Sequence, residues 1–245
     1  MILFGFGSKE KKDAAGVGSQ SQQVASSATV SEKGLVRADN QDRVFVDDGR
    51  GVYCVADGMG GGAEGGLASE IVCRDIKMLV GGAGRDFKST VAAVQNAVEE
   101  ANFAIYTHAK ESGAGVMGST VAILVLDPSN PCHAGVCTVG DTRVYRVCKG
   151  MPELLTRDHR AAKGDNTLTR AVGVAETVKT EWVEFDSVKG SRFVLCTDGV
   201  HDVVSASRLA VFVAAGPIQS AADRLSADVV KRGAPDNYSF VIVSA

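Results

Sequence analysis

No stretch of this chain is apolar for long enough to cross a bilayer. The opening Met1-Ile2-Leu3-Phe4-Gly5-Phe6-Gly7 falls far short of the roughly 20 residues that a spanning helix needs. It runs into Lys9-Glu10-Lys11-Lys12 rather than a cleavage signal. An excess of positive charge is also lacking. Lys and Arg number 26 against 29 Asp and Glu, for a net charge of −3, and no basic run is interleaved with aromatics, which make up 6% of the chain. Nucleic acid is therefore not an expected partner. Nor is there a Cys-x-x-Cys pair. Cys54, Cys73, Cys132, Cys137, Cys148 and Cys196 are scattered, several inside apolar runs, and a thiol there packs as a small hydrophobe. With only four histidines, a zinc site lacks closely spaced ligands. The expectation is a cytoplasmic protein with reduced cysteines.

What is present suits one compact domain. A chain of 245 residues, 45% hydrophobic and 22% charged, can bury a sizeable core. Residues 1–23, rich in Ser, Gln, Lys, Gly and Ala beyond the first few, read as a flexible arm, which leaves 24–245 as the folded domain. Strand chemistry marks Val24–Val30, Leu35–Val46, the run into Asp57, Val121–Leu126, Cys132–Val139, Arg143–Val147, the run into Asp198 and the final apolar segment. A helix is expected from about Gly65, burying Leu67, Ile71, Met78 and Leu79. A second covers Ser89–Lys110, with Val91, Val94, Val98, Ala101 and Ile105 at helical spacing, and a late one carries Ile218, Ala222, Leu225 and Val229. Strands grouped around a helix pair do not alternate as a βαβ protein would, so the expected class is α+β, two antiparallel sheets flanked by helices.

The chemistry resides in two Asp-Gly dipeptides. Val55-Ala56-Asp57-Gly58-Met59-Gly60-Gly61-Gly62 and Cys196-Thr197-Asp198-Gly199-Val200-His201-Asp202 each place a carboxylate at the end of an apolar run. Each reads as a turn in which the sheet holds the carboxylate and the glycine lets the backbone bend. Oxygen donors of this kind suit Mg²⁺ and Mn²⁺. Asp42, Asp141 and Asp236 abut further strand-like segments. Carboxylates gathered at one end of a sandwich repel one another unless cations neutralise them.

In order along the chain, G-L-V-R-A-D-N-Q-D (34–42), V-A-D-G-M-G-G (55–61), G-S-T-V (118–121), V-G-D-T-R-V-Y (139–145), L-T-R-D-H (155–159), L-T-R-A-V-G (168–173), T-D-G-V-H-D (197–202) and D-N-Y-S (236–239) resemble the bacterial branch of the metal-dependent type 2C Ser/Thr protein phosphatases. The resemblance implies a four-layer αββα sandwich and hydrolysis of phosphoserine and phosphothreonine by water activated between two Mn²⁺ or Mg²⁺ ions, without a phosphoenzyme. It implies that Asp57 bridges the ions, that the Gly58 carbonyl binds one, and that Asp198 and Asp236 hold the other. Asp141 with Asp198 supports a third, weaker ion. Asp42 accepts from metal-bound water, Asn237 orders the last ligand loop, Thr120 supports the site from beneath and Arg37 grips phosphate. Phosphorylated Ser/Thr proteins and a cognate Ser/Thr kinase are the implied partners, with the enzyme a monomer.

The chain departs from that family at three places. A metal-facing Glu is replaced by Gln41, which removes a negative charge. The histidine of the Asp-Gly-x-Gly-Gly turn is absent, with Met59 and Gly62 in those places, so leaving-group protonation falls to water or to His201. Only eight residues, 160–167, separate His159 from Leu168, which implies a shortened flap and a more open site. His108 and His133 read as structural or solvated, and His159 as ordering a loop. Cys54 and Cys196 adjoin two carboxylates, but no basic partner makes either a thiolate nucleophile. A phosphoprotein-binding module without turnover and a structural cation-binding domain are the alternatives. Retention of Asp57, Asp198 and Asp236 argues against the first, and Arg37 against the second.

Overall fold

The computed structural model describes residues 25–113, 115–161, 167–186 and 189–245. The expected arm at 1–23, Val24 at the start of the first expected strand, and the centre of the expected flap lie outside the described residues. One sheet is ordered β1 (Ser26–Glu32), β11 (Tyr238–Ser244), β10 (Arg192–Cys196), β7 (Arg143–Cys148), β8 (Met151–Leu154). The other is ordered β2 (Asp42–Asp47), β3 (Val52–Gly60), β5 (Val121–Leu126), β6 (His133–Val139), β9 (Glu181–Asp186), with β4 (Met117–Ser119) on the far end of β3. All the pairings are antiparallel.

Strands buried on both faces explain the continuous apolar runs. Along β3, Val52, Cys54 and Ala56 face α1 (Glu64–Gly82) and α2 (Phe87–Ser112), whereas Tyr53 and Val55 face the opposite sheet. Along β10, Val194 and Cys196 pack under α4 (Ala206–Val213) and α5 (Ile218–Lys231), while Phe193 and Leu195 meet Tyr53, Val55 and Leu124 between the sheets. The period of two thus sorts alternate side chains into an inner core and two helix-covered cores, which makes four layers. Leu195 is wholly buried in the middle layer. Leu195→Ala is expected to lower unfolding free energy by about 2–5 kcal/mol, read as a lower urea midpoint at unchanged slope.

Several boundaries differ from the sequence reading. The second strand starts at Asp42 rather than Leu35. Leu35 and Val36 are 67% and 70% exposed, in a turn where Gly34 has φ +76° and the Asn237 side-chain amide donates to the carbonyls of Lys33 and Asp39. In α1 the buried face is Ala68, Ile71, Val72, Ile76 and Val80, and Leu67 and Met78 are exposed. Small Ala68 faces the core there and brings the helix close to the sheet. Strands β8 and β9 and helix α4 were not anticipated. The two strands are edges with no fully buried residue, and the helix is only eight residues long.

Candidate active site

Neither Asp-Gly dipeptide is a turn. Asp57 and Gly58 lie inside β3, which continues past β2 to pair with β4. The Thr120 hydroxyl accepts from Asp57 N–H at 3.2 Å, and Thr120 N–H donates to Asp57 O at 2.8 Å. Gly58 is required by crowding, because a Cβ there would stand 1.9 Å from the carbonyl oxygen of Gly65 in α1 and 2.8 Å from that of Gln41. Asp198 opens a short helix, α3 (Asp198–His201). A Cβ on Gly199 would stand 1.9 Å from the Asn237 carbonyl oxygen, which seats α3 against the loop that carries Asp236.

The carboxylates converge through the sheet register. Asp42 is the cross-strand partner of Asp57 and is buried, with Oδ2 accepting from Thr197 Oγ1 at 2.9 Å. Thr197 in turn accepts from Ser239 N–H at 3.0 Å. Asp236 Oδ1 accepts from Asn237 N–H at 2.7 Å, and the Asn237 side chain accepts from Gln41 N–H at 2.9 Å. Asp57, Asp141, Asp198 and Asp236 thereby line one open cleft of about 810 Å³, with Arg37 at its side.

The cleft is short of positive charge. Burial first, then repulsion by Asp42 and Asp198, holds the Asp57 carboxyl well above the usual range. Burial and Asp141 raise Asp198. Asp42 is pushed up to about 7, chiefly by burial and further by Asp198 and Asp236, against the lowering effect of Ser239 and Thr197. Among the described residues its Oδ1 has no hydrogen-bond partner. Buried mutually repelling oxygens are the environment that a divalent cation relieves. Among the described residues no three His, Cys, Asp or Glu side chains form a ready-made cage. This does not oppose the fit, since Mg²⁺-like ions are held by one or two carboxylates and keep several waters. Two carboxylates are meanwhile engaged by arginines: Arg37 Nη2 donates to Asp236 Oδ2 at 2.7 Å, and Arg160 Nε donates to Asp141 Oδ2 at 2.6 Å.

A pH effect follows for the protein in EDTA. Between the ordinary aspartate value of 3.8 and about 7, folded Asp42 keeps a proton that the unfolded chain releases. Stability therefore falls as pH rises through that window. Asp42→Asn, whose amide oxygen can still accept from Thr197, is expected to raise the calorimetric melting temperature in EDTA at pH 8, by on the order of 2 kcal/mol in stability. At pH 4 it should change little.

The other candidates fall into place around this cleft. Gln41 is not merely a lost charge, because its Nε2 donates to the Gly62 carbonyl at 2.6 Å, a bond that a glutamate could not make. His201 does not line the cleft. Its ring is buried, with Nδ1 3.1 Å from Asp202 Oδ1 and Nε2 3.1 Å from the Asp141 carbonyl oxygen. His159 Nδ1 accepts from Gly140 N–H at 3.0 Å and its Nε2 lies 2.9 Å from Glu181 Oε2, so it fastens the chain beneath Asp141. His108 pairs with Glu64, and His133 packs at a tilt against Phe87. Burial drives the Cys54 thiol well up and the Cys196 thiol up to about 12, which removes both as nucleophiles. The sequence reading missed Arg160, whose position depends on a contact formed only in the fold.

Comparison with known proteins agrees with this architecture. The family model described as Protein phosphatase 2C matches residues 31–230. The serine/threonine protein phosphatase PstP of Mycobacterium tuberculosis is 27% identical over 236 residues, covering 88% of this chain and 44% of that protein, so the chain spans less than half the length of this relative. PppA of Pseudomonas aeruginosa, described as a key regulatory component of T6SS, superposes with a TM-score of 0.85 at 29% identity, covering 91% of this chain and 99% of that one. The PstP catalytic domain in complex with two manganese ions superposes with a TM-score of 0.78 at 27% identity, over 90% and 98% of the two chains. By its match over most of its length and by its two-sheet sandwich, the chain belongs to the protein phosphatase 2C family.

Proposed function

We propose that this protein is a metal-dependent Ser/Thr phosphoprotein phosphatase and that residues 24–245 are its catalytic domain. The observation that carries the reading is the convergence of Asp57, Asp141, Asp198 and Asp236 on one cleft that also holds Arg37, with Asp42 paired to Asp57 behind it. The two manganese ions of the PstP catalytic domain support the choice of cofactor. Asp57 and the Gly58 carbonyl would hold one Mn²⁺ or Mg²⁺ ion, and Asp57 with Asp198 and Asp236 the other. Bound there, the ions supply charge that activates water and stabilises phosphate oxygens.

The chain's own groups do the positioning. Arg37 is 58% exposed at its side chain, and its guanidinium, already anchored on Asp236, offers a planar charged donor to an entering phosphate. Asp42 is fixed by Thr197 behind Asp57, with its buried Oδ1 lacking a hydrogen-bond partner among the described residues, so its carboxyl backs Asp57 from beneath the cleft. Asn237 holds the Asp236 loop to Gln41. The buried His201 leaves protonation of the departing hydroxyl to water. We further infer a cytoplasmic setting, supported by six free cysteines, and a cognate Ser/Thr kinase that supplies the phosphoproteins. No helix among the described residues is long and apolar enough to cross a membrane.

Phosphate release from a phosphothreonine peptide tests the reading, measured with Mn²⁺, with Mg²⁺ and with EDTA. Turnover with either metal and none in EDTA is expected. Arg37→Ala should raise KM about tenfold, the loss of roughly 1.4 kcal/mol of charge-assisted hydrogen bonding, and leave metal affinity intact. Folded protein that binds the peptide and stays silent with every metal would instead identify a binding module.

A further inference from the structure

We propose that Arg160 is a built-in cation that takes the place of a third metal ion beside Asp141 and Asp198, so that the centre fills with two divalent ions only. The inference rests on the phosphatase reading above and revises the third, weaker ion that the sequence resemblance implies.

Three carboxylates meet on this one guanidinium. Arg160 Nε and Nη2 both lie 2.6 Å from Asp141 Oδ2, and Nη2 lies 3.7 Å from Asp198 Oδ2 and 4.0 Å from Asp202 Oδ2. The Arg160 and Asp141 side chains are only 11% and 7% exposed. An ion shared by the facing oxygens of Asp141 and Asp198 would have to displace Nη2. A guanidinium cannot shed its charge to make room, and moving it would leave a nearly buried cation without its closest partner.

The backbone fixes this placement. His159 N–H donates to Gly140 O at 2.9 Å, and Gly140 N–H returns a bond to His159 Nδ1. The residue before Arg160 is thereby fastened to the residue before Asp141. On the other side Arg160 bridges Leu168 in antiparallel fashion, Ala161 N–H donates to Thr167 O at 3.0 Å, and Thr169 N–H donates to His159 O at 2.7 Å. The near side of Asp141 is held as well, its carbonyl 3.1 Å from His201 Nε2. The short 160–167 segment therefore starts and ends on the same ladder, and its first residue is directed onto Asp141. Arg160 acts as a positioning residue: it neutralises Asp141 and steadies Asp198 without occupying the ligand sphere of Asp57.

Equilibrium dialysis against Mn²⁺ up to millimolar concentration, with metal counted per folded chain, tests the proposal. The wild type should saturate at two ions. Arg160→Gln should bind a third, weaker ion, and that ion should be lost again in Arg160→Gln/Asp141→Asn, while Arg160→Lys, which keeps a charge there, should stay at two. Three ions in the wild type would overturn the proposal even if Arg160→Gln failed to fold, and so would two ions in folded Arg160→Gln. Absence of any bound Mn²⁺ in the folded wild type would overturn the phosphatase reading beneath it, an outcome distinct from a count of three.

Discussion

Exchanging Asp57 for Asn is expected to lower phosphate release from a phosphothreonine peptide by about three orders of magnitude, or ~4 kcal/mol of transition-state stabilisation. The size follows from its position. Asp57 is the cross-strand partner of Asp42, adjoins Gly58 and faces Asp198 and Asp236 electrostatically, so one substitution weakens both proposed cation sites. Its backbone is held independently of its side chain, by Thr120 on both the N–H and the carbonyl. Asp57→Asn should therefore fold. Removing a repelling charge should even raise the melting temperature in EDTA, and steady-state rates paired with calorimetry check both halves. A loss of activity with a lowered melting temperature would point to disrupted structure instead.

Gly58→Ala and Gly199→Ala should be nearly as damaging, for a steric reason. Each added Cβ would stand 1.9 Å from a backbone carbonyl oxygen, that of Gly65 in one case and of Asn237 in the other. Neither obstacle is a side chain that can rotate away. Helix α1 must retreat from β3, or the Asp236 loop from α3, at a cost on the order of 3 kcal/mol. Because those elements carry the carboxylates, activity should fall with stability. Urea unfolding and phosphate release should move together in both variants. By contrast, a Cβ on Gly61 would meet nothing within 4 Å, so Gly61→Ala should change neither.

The same glycines show where sequence reasoning reached and where it stopped. Strand chemistry followed by Asp draws attention to Asp57 and Asp198, which both line the cleft, because a strand buried on both faces leaves an unbroken apolar run. The glycines after them read as turn residues, since a turn is the local explanation. The actual cause is the close approach of the Gly65 and Asn237 carbonyls, which the local pattern around the dipeptides does not show. The face of α1 was misjudged for a related reason: Leu67 and Met78 are larger than Ala68, yet the small residue faces the sheet. Edge strands β8 and β9, wet on one side, carried too weak a pattern to read. Arg160 was passed over because its partner Asp141 is brought to it by the His159–Gly140 bonds.

The most direct test of the account is an anomalous difference map from a crystal of the protein equilibrated with Mn²⁺. Two peaks are predicted, both within ligand distance of Asp57, one also at the Gly58 carbonyl and the other also at Asp198 and Asp236, with Arg160 still on Asp141. Peaks that bypass Asp57, or no peak in the cleft at all, would contradict it.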